Sequence, residues 1–187
     1  MDRAADASSL VVTLVTAVAL APTSAFAVDY LSADEAAKLM FPQADRFEAR
    51  TVAFDAEQLQ RLQAAGVLPR SARWQVRVAL RDGATLGYVV VDDVIGKFEL
   101  ISYAVGVGVD GAVRQIEVLS YRESHGAEIR LPAWRRQFVG KDASAPLRVG
   151  DDIANISGAT LSCSHVTEGV RRIVAVIGLA RQVGALG

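Results

Sequence analysis

The chain has 187 residues, 51% hydrophobic and 22% charged, with a formal net charge of −1. That is enough apolar material for one globular domain with a sizeable core, and it excludes a disordered chain, a basic nucleic-acid-binding stripe and an acidic tail. The single cysteine, Cys163, excludes an intramolecular disulfide or a cysteine-based metal site, and with only His125 and His165 as histidines no metal centre is expected.

Residues 1–27 read as a targeting segment. Leu10 to Ala21 is an apolar run, followed by Pro22-Thr23-Ser24 and the small-residue pattern Ala25-Phe26-Ala27. The run falls short of the ~20 residues that span a bilayer, which favours a secretory signal peptide cut after Ala27. Asp2, Arg3 and Asp6 leave the start without the usual positive charge, so an uncleaved anchor is the alternative. Either reading puts a single domain, 28–187, in a periplasmic or other extracytoplasmic space, free or membrane-tethered. No cysteine is present there to carry a lipid.

Ser32, with Glu35 three residues on, forms a capping box that opens a helix with Ala36, Leu39 and Met40 inward and Pro42 as its stop. Asp55 to Ala65 reads as a second helix, with Leu59 and Leu62 inward and Gly66 ending it. Strand patterns follow at 74–80, 86–91, 98–109 and 112–119, punctuated by the turns Arg81-Asp82-Gly83 and Asp110-Gly111. The expected fold class is α+β: an antiparallel sheet of about four strands over 73–121, flanked by helices. Gly106 and Gly108 inside the third strand mark a bulge or close crossing, or else room for a flat ring. Pro132 begins a short helix through Phe138, in which Trp134 and Phe138 read as core. A last helix, about 162–183, carries Val166, Val170, Ile173, Val174 and Ile177 at helical spacing.

The stretch that organises the chain is Asp151 to Ser162, centred on Ser157-Gly158-Ala159-Thr160. A small-residue loop there delivers the Thr160 hydroxyl to the front of the last helix. Free N–H groups and the positive end of the helix dipole make that a place for a phosphate, and Gly158 allows the backbone to turn at positive φ. Ser162 is the expected cap of this helix.

This stretch resembles the flavinylation motif of the FMN-binding domain family, which includes the FMN-carrying subunits of the sodium-pumping NADH:quinone reductase and of Rnf complexes. Gly96-Lys97 through Tyr103-Ala104-Val105, the loop Tyr121 to Gly126, and Trp134 to Lys141 are similar to its small members, so the resemblance covers roughly 94–174. It implies that Thr160 carries FMN covalently through a phosphoester, added by a dedicated flavin transferase. Ser157 would shape the turn or donate to the phosphate, and Gly158, Ala159, Leu161 and Ser162 complete the cofactor-binding set around it. The loop resembles the Glu-Thr-Pro-Gly loop of the larger redox subunits, which lies near the flavin. Glu123 and Gly126 match, while Ser124 and His125 replace the Thr-Pro. The family's Asp three residues before the Ser is Ala154 here, with Asp152 and Asn155 nearby.

The resemblance implies an electron carrier served by a membrane or periplasmic redox partner. The sequence shows no paired-carboxylate motif, nucleophile elbow or Rossmann fingerprint, so no catalytic residue is assigned. The alternatives are a flavin-dependent reductase of a small extracytoplasmic acceptor, or a binding or structural module that has lost flavinylation.

Overall fold

The computed structural model describes residues 28–186; the expected targeting segment, 1–27, lies outside the described residues. The chain runs through β1 (Val28–Asp29), α1 (Ala33–Met40), β2 (Arg46–Ala53), α2 (Ala56–Ala64), β3 (Arg73–Arg81), β4 (Ala84–Ile95), β5 (Leu100–Gly108), β6 (Val113–Tyr121), α3 (Pro132–Arg135) and α4 (Thr160–Gln182). All strand pairs are antiparallel, in the order β1-β6-β5-β4-β3-β2. The α+β expectation holds, with six strands in place of about four.

Two of those strands leave little trace in the sequence. β1 is two residues long, paired at Val28 with Tyr121 and at Asp29 with Ser120. β2 is an edge strand whose residues, Val52 apart, stay at least partly exposed. Arg46, Glu48 and Arg50 form an ion ladder along it, with separations of 3.1 and 3.2 Å. A strand with so little buried surface has no apolar alternation to betray it, while charges on an edge discourage pairing with another chain. The central hairpins follow their turn residues. Asp82 and Gly83 take positive φ between β3 and β4, and Gly111 does so between β5 and β6.

The sheet separates two apolar layers. On one face α1 sets Ala36, Ala37, Met40 and Phe41 against Ala79, Val89, Ala104 and Leu119. Gly106 belongs to this contact, because a Cβ there would stand 2.9 Å from Met40 Sδ; one on Gly108 would meet Asp110 Oδ1 at 2.5 Å. Both glycines thus serve close approaches of protein to protein rather than an opening for a ring.

On the other face lies α4, with Val166, Val170, Ile173, Val174 and Ile177 all buried against Tyr103, Val105 and neighbouring strand residues. Burial of each such side chain contributes about 1.5–3 kcal/mol, which outweighs the marginal stability of an isolated helix. Trp134 and Phe138 join the same layer edge-to-face, ring centres 5.0 Å apart. The lone Cys163 is buried there too, and burial pushes its thiol pKa up, as suits a small apolar residue. Beneath α4, Asp92 accepts from the Tyr103 hydroxyl at 3.0 Å and from Arg172 at 3.3 Å. This long-range pairing lets β4 continue through Asp92-Asp93 to Ile95, beyond the expected end at Val91.

Candidate functional site

The loop that leads into α4 is fastened before it reaches Ser157. Ala154 donates its N–H to Gln137 Oε1 at 2.7 Å, and its carbonyl accepts from Trp134 Nε1 at 2.8 Å. Asp152 does not stand in for the acid absent at position 154. Its carboxylate is bound to Lys141 at 2.9 Å and accepts from the N–H groups of Arg148 at 2.8 Å and Leu147 at 3.3 Å. It thereby closes the turn in which Leu147 sits at φ 43°. The polar neighbour of Thr160 is Asn155, whose Nδ2 donates to Thr160 Oγ1 at 3.0 Å.

Gly158, at φ 81°, turns the chain into the helix, with open space where a Cβ would be. Ala159 is the N-cap residue and offers no side-chain acceptor. The first intrahelical bond runs from Cys163 N–H to the Ala159 carbonyl at 2.9 Å. Among the described residues, the N–H groups of Thr160, Leu161 and Ser162 are left without a protein partner. Unpaired N–H groups and the dipole together favour an anion at this end. The helix therefore starts two residues earlier than expected. Ser162 is not its cap: it is the third helical residue, buried, with Oγ 3.2 Å from the Tyr121 hydroxyl. Tyr121 spends its one proton on the His125 carbonyl, so Ser162 is the donor between them. Burial pushes the Tyr121 pKa up, against the bond from Ser162.

The facing wall comes from two other segments. Glu123 Oε1 accepts three successive backbone N–H groups of the β4–β5 connection: Lys97, Phe98 at 2.6 Å and Glu99 at 3.0 Å. Partial desolvation of the carboxyl is outweighed by these three donors, which hold its pKa below the ordinary range. Gly126, at φ 88°, packs against Ala159; a Cβ there would run into that residue and stand 2.7 Å from the Tyr121 hydroxyl. Gly126 thus serves the motif by fit, from outside the groove.

Between the walls is a groove of about 540 Å3, within the range usual for small-molecule sites. Lys97, Phe98, Glu123, Ser124 and His125 line one side, and Gly158 through Ser162 the other. Of the expected site residues, Thr160, Gly158, Ala159, Leu161, Ser162 and Glu123 converge here. Ser157 lies exposed in the preceding turn and Gly126 lines the neighbouring hollow. Lys97 and Phe98 were not expected as site residues. Their signal was an apolar ring in a hairpin turn between two charged residues. The donor set suits a phosphate-bearing cofactor: an exposed hydroxyl, three free N–H groups, the Lys97 ammonium, and a Glu123 oxygen already occupied by backbone donors.

Residues 96–175 match the family model of the FMN-binding domain. This segment belongs to that family. The FMN-binding domain so matched contains both walls of the groove, from Lys97 to Ser162. Two solved structures share the fold. One is the NqrC-type component of the Na(+)-translocating NADH-quinone reductase from Parabacteroides distasonis, 21% identical, covering 78% of this chain and 82% of that one at a TM-score of 0.51. The other is NqrC from Shewanella oneidensis, 16% identical, covering 79% and 88% at a TM-score of 0.51. No curated protein matches.

Proposed function

We propose that the protein is an electron carrier whose FMN is bound covalently, as a phosphoester, to Thr160. The observation that carries this reading is the exposed Thr160 hydroxyl at an uncapped helix start, opening onto the groove. The free N–H groups of Thr160, Leu161 and Ser162 would hold phosphate oxygens, with Gly158 allowing close approach and Asn155 orienting Oγ1. Bound flavin supplies one- or two-electron transfer, and the surrounding hydrogen bonds and charge set its potential. Glu123 shapes the facing wall, and Lys97 brings positive charge to it.

A flavin transferase is the maturation partner in this reading, and a membrane or periplasmic redox protein the electron partner. The signal-peptide pattern of residues 1–27 supports an extracytoplasmic location, and the fold shared with components of a membrane reductase supports the electron partner. Co-expression with a flavin transferase, then in-gel fluorescence after denaturation and peptide mass mapping, tests the attachment. Flavin should map to Thr160; flavin on Ser157 or Ser162, or undiminished in Thr160→Ala, would sink the assignment.

A further inference from the structure

Phe98 is 75% exposed and Leu161 46% exposed, and both line the groove that Thr160 opens onto. An exposed benzyl ring is ordinarily unremarkable on a protein surface, but this one does not sit on a loose turn. Its own N–H and those of its two neighbours converge on a single Glu123 oxygen, and a Cβ on Gly96 would stand 2.5 Å from that same oxygen. The Lys97 ammonium lies 4.9 Å from the centre of the ring. Fixing the backbone of a hairpin turn has an entropic cost, and here the fixed element presents an aromatic face and a cation to the groove.

We infer that Phe98 is the face against which the isoalloxazine ring of Thr160-linked FMN rests, and that Glu123 is the positioning residue that holds it there. The inference rests on the Thr160 reading. A flat, electron-poor ring system packs well on a phenyl face, and Leu161 adds apolar surface in the same groove. Glu123 touches only backbone N–H groups and acts through the loop.

The test uses the mature protein, flavinylated by co-expression with a transferase, and reads flavin emission and its quenching by iodide. Phe98→Trp should lower emission several-fold, because a stacked indole quenches flavin. Phe98→Ala should raise iodide access, and Glu123→Ala should do the same with the flavin content unchanged. Glu123→Gln keeps an acceptor oxygen for the three N–H groups and should restore the wild-type value. Because Phe98 is exposed, its replacement leaves the core intact. A flavin-loaded protein whose emission and iodide access ignore both Phe98 variants overturns the inference while leaving Thr160 in place. Wild-type protein without covalent flavin overturns the Thr160 reading and this one with it.

Discussion

Helices α1 and α4 pack on opposite faces of one sheet, and they begin in opposite ways. At α1, Ser32 Oγ accepts the Glu35 N–H at 3.2 Å and Glu35 Oε2 accepts the Ser32 N–H at 2.8 Å. At α2 the same box is built from Asp55 and Gln58. At α4, much the longest helix, the N-cap is Ala159 and no side chain reaches the free N–H groups. Alanine is a poor cap, worth about 1 kcal/mol less than serine, and α4 tolerates it because its stability comes from the buried face. Where the chain needs only a helix, it supplies its own acceptor. Where it leaves the acceptor out, the N–H groups remain for a ligand.

Replacing each helix's first hydroxyl should separate the two kinds of start. Thr160→Ala should remove all covalent flavin and leave the urea midpoint of the protein nearly unchanged. Thr160→Ser should keep some flavin, since the bond needs only a hydroxyl, and Ser157→Ala should reduce the amount attached without moving it. Denaturing-gel fluorescence and peptide mapping read all three. Gly126→Ala strikes the α4 start from outside. The left-handed backbone alone should cost about 1–3 kcal/mol, and the clash with Ala159 should displace the motif, so urea unfolding and flavin yield should fall together. Ser32→Ala should cost about 1 kcal/mol in urea unfolding with no loss of flavin; a drop in flavin there would break the contrast.

The smallest effect concerns pH. The folded-state pKa of Glu123 lies below its ordinary value of 4.5. Its contribution to stability is therefore present above that value and is lost as pH falls through the lowered one. Wild-type protein should lose stability more steeply on acidification than Glu123→Gln, measured as the difference in urea midpoints; parallel curves would count against the three-donor clamp.

Much of this architecture was legible because local rules carried it. The Ser32 and Asp55 boxes, the Asp82-Gly83 and Asp110-Gly111 turns and the apolar stripe of α4 each act within a few residues. What escaped depends on partners far away in sequence. β4 runs past Asp92 because Arg172 and Tyr103 meet that carboxylate, and β2 exists because β3 offers it an edge. Ser162 looked like a cap, yet it turns inward to Tyr121. Asp152 looked available to Thr160, yet Lys141 and the 147–152 turn occupy it. Glu123 was legible as a backbone acceptor, but not the hairpin turn it clamps.

Tyr121 also bears on the order in which the molecule is made. Its backbone pairs with Val28 and with Ile101, and its hydroxyl meets Ser162, 41 residues further along the chain. Each of those meetings closes a long loop, and such closures are entropically costly and slow relative to local turns. The groove is thus a late product of folding. Any maturation step that recognises the groove, rather than the four-residue motif alone, acts only on finished molecules and passes over chains still in transit or misassembled.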